Sequence, residues 1–326
     1  MTYEVERRTF LAGTGALLYG LAPALRAQGS YPAKPIKLVV SFPAGGSADA
    51  TARTVAQAIS EVVGQPLVVE NRAGADGLIA GDVVAKAPAD GYTLLFATAT
   101  GLTAAPVIHK SIPYDPIASF SPIARVGTFV QILLVHESVP VKTLTELVAY
   151  ARANPGKLSY GTGTGSAIFA TAQLAQLAKL DMVHVPYKGD APLLADAIPG
   201  RVQLMFGAGG PWVPHVRSGK LRALGVLMPD RSPLLPDVPT MAEAGYPEMT
   251  IKSWAGVVGP AGLPRAIVER MNSAVLTALA KPEVRDQLHR GAFSPEGSTP
   301  EEFGTFLKDQ LNVWRGVAKV AGMEPS

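Results

Sequence analysis

Two glycine-rich turns hold the residues best suited to binding chemistry. The first reads Ser41-Phe42-Pro43-Ala44-Gly45-Gly46-Ser47-Ala48-Asp49, and the second reads Tyr160-Gly161-Thr162-Gly163-Thr164-Gly165-Ser166-Ala167. Each follows a short aliphatic run and leads into an Ala- and Thr-rich stretch with helical spacing. A turn of this kind presents free backbone N–H groups at the positive end of a helix dipole. Glycine lets a ligand approach the backbone closely. Ser47, Thr162, Thr164 and Ser166 add hydroxyl donors. Neither turn contains Lys or Arg, and the nearest cations in sequence are Arg53 and Lys188. The chemistry on offer is therefore the holding of anionic or polar groups by neutral dipoles. The dipole contributes ~0.3–1 kcal/mol per end, up to ~2 when partly buried. Each hydrogen bond to a charged group adds roughly 1.5–3 kcal/mol. Several of these, less the ordering cost of association, leave about −8 kcal/mol, or roughly micromolar affinity. That suits a receptor which captures an acid and later releases it.

Bond-making chemistries fail on spacing. Gly161-x-Gly163 is followed by Ser166 where a dinucleotide fingerprint needs glycine, and no acidic residue stands about twenty positions on at a strand end. No Gly-x-x-x-x-Gly-Lys-Ser/Thr occurs. Ser47 and Ser166 each lack the closing glycine of a nucleophile elbow. The five histidines are scattered, with no ligand pair at helical spacing. Cysteine is absent, which excludes disulfides, thiolate metal sites, a Cys nucleophile and a lipid-anchored cysteine. The expectation is a binding protein with no catalytic residues, no cofactor and no metal.

The elements that position these turns alternate. Strands are expected at Ile36–Ser41, Pro66–Glu70, Thr93–Thr98, Gln131–His136, Leu158–Gly161, Met182–Pro186, Gln203–Phe206, Leu221–Val226 and Ile251–Val258, with helix-period segments between them. The segment Ser121–Val130 reads as a connection. After Pro260 only helices are expected, at Pro264–Ala280, Pro282–Arg290 and Pro300–Val320. Of 326 residues, 48% are hydrophobic and 17% charged, as buried parallel strands under helices require. So many units would make one sheet overlong, so two α/β domains fit better. No apolar stretch reaches the ~20 residues of a membrane span, and a net charge of +3 gives no nucleic-acid surface. Residues 1–27 read as an export signal. Arg7-Arg8-Thr9-Phe10-Leu11 is twin-arginine-like, an apolar run to Leu25 follows, and cleavage is expected after Ala27. The expected product is a soluble, unanchored periplasmic monomer.

Several blocks, taken together, resemble the extracytoplasmic solute receptors of tripartite tricarboxylate transporters, the Bug family. They include Tyr31-Pro32-x-Lys34-Pro35-Ile36, Phe42-Pro43-x-Gly45-Gly46-Ser47, Glu70-Asn71-Arg72-x-Gly74, Asp90-Gly91-Tyr92-Thr93-Leu94, Pro113-Tyr114-Asp115-Pro116, Val183-His184-Val185-Pro186-Tyr187-Lys188-Gly189 and Pro236-Asp237-Val238-Pro239-Thr240. The resemblance runs from about Tyr31 to Gly322. It implies a type II periplasmic-binding-protein fold: two α/β lobes joined by crossing hinge strands, 31–127 with 254–326 as one lobe and 128–253 as the other. It implies a small carboxylate ligand between the lobes, and delivery to membrane permease subunits.

Carried over, Phe42, Ala44, Gly45, Gly46 and Ser47 form the first-lobe loop. Gly163, Thr164, Gly165 and Ser166 form the second, beside Thr162. Thr98 and Thr100 give side contacts, Lys188 and Gly189 line the second-lobe wall, and Trp254 closes the pocket. Two departures stand out. The family's second turn is usually a residue longer and followed by His, where Phe169 stands nearby here. Many members place Asp where Gly207 stands, to read a ligand amino group. The expected ligand is thus a plain mono-, di- or tricarboxylate, with room for an aromatic ring near Phe169 and Gly207. Rival readings are a periplasmic sensor feeding a two-component system and, more remotely, an exported α/β hydrolase.

Overall fold

The computed structural model describes residues 31–325; the expected export signal lies outside them. β1 (Ile36–Val40) buries Leu38, Val39 and Val40 completely, as an inner strand must when both faces are covered. It lies between β2 (Leu67–Asn71) and β3 (Thr93–Thr98), parallel to both. The crossovers are α1 (Ser47–Val63) and α2 (Leu78–Ala85). α1 buries Ala52, Val55, Ala56, Ile59 and Val63, and stops at Gly64, whose φ of 74° is left-handed. A π-helical turn, Thr100–Ala104, and α3 (Ala105–Ile108) follow β3.

The expected connection at Ser121–Val130 is instead a ten-residue strand, β4 (Phe120–Phe129). Pro122 and Gly127 disguise it in the sequence. Two register shifts against its partner, β10 (Ser253–Pro260), absorb extra residues along its length. Val130 alone separates β4 from β5 (Gln131–His136), which belongs to a second sheet. There follow α4 (Leu144–Ala153), β6 (Ser159–Thr162), α5 (Gly165–Ala178), β7 (Val183–Pro186), α6 (Asp190–Ala197), β8 (Leu204–Ala208), α7 (Val213–Arg217) and β9 (Leu221–Val226). This sheet has the order β7-β6-β8-β5-β9, with β5 antiparallel to both of its neighbours.

The chain then returns through β10, between β3 and β4, into the first sheet, whose order is β11-β4-β10-β3-β1-β2. Two strand segments thus cross between the lobes side by side. The remainder is α8 (Arg265–Ala280), α9 (Pro282–Arg290), β11 (Phe293–Pro295) and α10 (Pro300–Val320). The short β11, paired with β4, was not expected among these helices. α10 starts with a capping box between Thr299 and Glu302, with Pro300 in the first turn. It reaches back to the second lobe: Trp314 packs edge-on against Phe169 of α5, with ring centroids 4.8 Å apart.

Candidate functional site

Both turns sit at the carboxyl ends of parallel strands, where open α/β sheets bind ligands. The first is braced by side chains. The Gly45 N–H donates to Asp49 Oδ2 at 3.0 Å. Asn71 Nδ2 donates both to the Phe42 carbonyl at 3.0 Å and to Asp49 Oδ1 at 2.8 Å, and Arg53 Nε donates to both Asp49 oxygens. Burial pushes the Asp49 carboxyl upward, but the donors Arg53, Gly45 N–H and Asn71 outweigh it and hold the group below the usual range. This has two consequences. The Gly45 amide is committed to Asp49, and Ala44 and Gly45 are exposed, away from the cavity described below. Arg53 is likewise committed to Asp49. Gly46, Ser47 and Ala48 carry the turn into the cleft.

The second turn is braced differently. Thr164 caps α5, its hydroxyl accepting the Ala167 N–H at 3.1 Å. Across the cleft, the Gly165 N–H donates to Thr100 Oγ1 at 3.0 Å. A Cβ on Gly165 would lie 2.5 Å from the Ala104 Cβ, and one on Gly189 would lie 2.9 Å from Pro43 Cδ. Glycine is thus what lets the two lobes touch at these points. A Cβ on Gly163 would lie 2.6 Å from the Gly189 carbonyl carbon, so the second-lobe turns also need glycine to pack on one another. Thr162 Oγ1 stands 2.7 Å from His184 Nε2 rather than in the cavity. The Ser166 hydroxyl is fully buried and has no hydrogen-bond partner among the described residues.

Where the lobes meet, a cavity of about 20 Å³, the room of a single water, is lined by Gly46, Ser47, Thr98, Thr100 and Phe129 from one side and Thr164, Asp190 and Ala208 from the other. The Thr98 hydroxyl is buried there without a hydrogen-bond partner among the described residues. A crevice of about 310 Å³ adjoins it, shares Phe42 and Thr100, and is lined across the gap by Gly163, Tyr187 and Lys188. The inner cavity has room for about one water, and the larger space lies in the adjoining crevice. Ser47 spans the gap, its hydroxyl bonded to the Ala208 carbonyl and 3.4 Å from Asp190 Oδ2.

Two further expected contacts are not at the cavity. Trp254 is fully buried on the opposite face of β10, edge-on to Phe303 and Phe306. Its neighbour Ser253 lines the cavity instead, because adjacent residues of a strand point to opposite faces. The space beside Gly207 is filled by the Trp212 indole, which a Cβ there would meet at 2.5 Å. Phe169 is fully buried against Trp314. The room expected for an aromatic ring is therefore taken by the protein's own side chains.

Residues 51–323 match the family described as tripartite tricarboxylate transporter family receptor. The chain belongs to that family. The structure of R. palustris Rpa4515 with adipate is 34% identical, with a TM-score of 0.88, covering 91% of this chain and 100% of that one. The structure of MatC from Rhodopseudomonas palustris with bound malate is 30% identical, with a TM-score of 0.83, covering 88% and 99%. The periplasmic binding protein BugD is 31% identical, with a TM-score of 0.86, covering 91% and 100%. The two α/β lobes and crossing strands are thus the periplasmic-binding-protein fold, and the family is one of solute receptors, not enzymes.

In this tricarboxylate-type receptor, two aspartates escaped the sequence reading. Asp49 stands in the first turn of α1, where an acid is common at any helix start. Asp190 follows Gly189 with nothing in its spacing to mark it, yet it lies 5% exposed in the cavity wall. Burial pushes its carboxyl up to about 6, and the polar groups of Ala208, Trp212 and Ser47 pull it back only in part. The missing carboxylate at Gly207 is therefore matched by one on another element.

Proposed function

We propose that this receptor captures a small aliphatic carboxylate between its lobes in the periplasm and delivers it, as a monomer, to the membrane subunits of a tripartite tricarboxylate permease. The observation that carries the reading is the meeting of two helix-opening turns across one cleft, with Gly165 N–H on Thr100 Oγ1 at 3.0 Å. Hydroxyls of Ser47, Thr98, Thr100 and Ser253 surround the space between them. Relatives crystallised with adipate and with malate support the ligand class. The twin-arginine-like leader supports export, and no described helix is long and apolar enough to cross a membrane. With no cation among the described residues of the cavity wall, the acid is gripped by neutral donors and screened by closure, which permits release on opening.

The test is a thermal-shift and calorimetric screen of the mature protein against mono-, di- and tricarboxylates, including adipate and malate. Roughly micromolar binding to an aliphatic acid is expected. No stabilisation by any acid would reject the reading. Uptake of the labelled ligand, lost when the receptor is deleted, would establish delivery; unchanged uptake with altered gene expression would make it a sensor.

A further inference from the structure

Capture of an acid does not by itself explain why a carboxyl group lies in the wall of the cavity. Asp190 opens α6, directly after Gly189. Its Oδ2 accepts the Ala208 N–H at 3.2 Å. Its Oδ1 is buried without a hydrogen-bond partner among the described residues. Among the described residues, Asp190 is the one ionisable side chain lining this cavity.

The charged groups on the elements packed around it are engaged or directed elsewhere. On α1, Asp49 is bonded by Gly45, Arg53 and Asn71. Lys188, two residues before Asp190, is exposed at the adjoining crevice. At the end of α9, whose last turn carries His289 and Arg290, the Arg290 and Gly291 backbone packs on Gly210. Ser47 and the Trp212 indole face the carboxyl group as neutral donors, which offset its burial only in part. A ligand carboxylate entering this space therefore meets a second carboxylate with no cation between them. Two carboxylates in one desolvated site do not both remain ionised.

We propose that Asp190 takes one proton from solvent when an acid binds and, through Oδ1, donates it as a hydrogen bond to a ligand carboxylate oxygen. The inference rests on the carboxylate reading above. No bond of the ligand forms or breaks; the complex holds one proton more than the separate protein and ligand. Free Asp190 titrates at about 6, so near neutral pH it is mostly ionised and must be protonated on binding. Affinity therefore rises as pH falls, with Kd changing about tenfold per pH unit above 6 until the carboxyl group's value in the complex is passed.

The experiment is calorimetry of the mature receptor with adipate and malate, in phosphate and in Tris, whose ionisation enthalpies differ, from about pH 6.5 to about pH 8.5. The expected result is uptake of close to one proton and about a tenfold weakening per unit. Asp190→Asn keeps a donor at the same place and should bind with a Kd constant to about twofold across the range. Should that variant fail to fold, the wild-type buffer pair alone decides. Binding without proton uptake and without pH dependence overturns the proposal while leaving the carboxylate reading intact. So does tighter binding of aspartate or glutamate than of the dicarboxylates, since an ionised Asp190 would then be reading an ammonium. Failure of every acid to bind removes both readings together.

Discussion

Two buried aspartates stand at the cleft, Asp49 behind the first turn and Asp190 in the opposite wall, and they are held in opposite ways. Asp49 has three kinds of donor and lies below the usual carboxylate range. Asp190 has only neutral donors, and burial pushes it up to about 6. The turns differ in the same sense. The bracing at Phe42 and Gly45 of the first comes from its own lobe, from Asn71 on β2 and Asp49 and Arg53 on α1, while its Ser47 also bonds the Ala208 carbonyl across the gap. Part of what fixes the second comes from the opposite lobe, through Thr100 and the packing of Pro43 on Gly189. The Asp49 bracing of the first turn stands before the lobes meet, whereas the Thr100 bond to the second forms only afterwards. A receptor that must let go benefits from that difference, because opening dismantles one half of the grip and leaves the other ready.

Glycine substitutions break this comparison most sharply. Gly165→Ala puts a methyl 2.5 Å from the Ala104 Cβ and 3.2 Å from the Thr100 Cα. It should oppose closure at a cost near the upper end of overpacking, ~3 kcal/mol, or on the order of a hundredfold in Kd. The melting temperature without ligand should fall little, because each lobe keeps its core. Gly46→Ala meets nothing nearer than 3.8 Å, at a φ of −84° that alanine adopts freely. It should change Kd less than about threefold, under ~0.7 kcal/mol. Equal losses in the two variants, measured by calorimetry, would mean that the turns are mechanically alike.

The aspartates should give pH signatures of opposite sign. Asp190 is raised, so its contribution to stability is whole below the unfolded value near 4 and is lost as pH rises through about 6. Across that window Asp190→Asn should gain on wild type, by roughly 3 kcal/mol for a shift of about two units. Asp49 is lowered, so its contribution is whole above the unfolded value and is lost as pH falls below it. Asp49→Ala should cost ~2 kcal/mol at neutral pH, from lost hydrogen bonds to a charged group, and progressively less in acid. Circular-dichroism melts of the three proteins from pH ~3.5 to ~8 check both signs. Difference curves that run in parallel would sink the contrast.

What the sequence made legible follows from what local patterns encode. The two glycine turns announced themselves because tight turns and helix starts are local events. So did β1, β3 and β9, whose short aliphatic runs are bounded by turn residues. β4 stayed hidden because its Pro122 and Gly127 are tolerated only through register shifts set by β10, more than a hundred residues away. The choice between Trp254 and Ser253 was not legible for a related reason. A strand buried on both faces shows no polar alternation, so nothing in sequence says which residue faces the cleft. Asp190 is a matter of tertiary contact: its environment comes from Ser47 and Ala208, far away in the chain. Residues of that kind become visible only when the lobes are brought together.

The smallest test separates the two hydroxyls that fix the second turn. Thr164 caps its own helix, so Thr164→Val should lower the stability of the second lobe by ~1 kcal/mol with or without ligand. Thr100 acts only across the cleft, receiving the Gly165 N–H. Thr100→Val keeps the shape of the side chain and removes the acceptor. Its cost, about 1 kcal/mol, falls on the closed form alone, so Kd should rise roughly fivefold while the ligand-free melting temperature stays where it was. The valine should act mainly on dissociation, because the bond forms only once the lobes have met and so holds the complex rather than speeding encounter. A loss of stability without a loss of affinity would place Thr100 among the supports of its own lobe and remove the contact on which the conditional half of the grip depends.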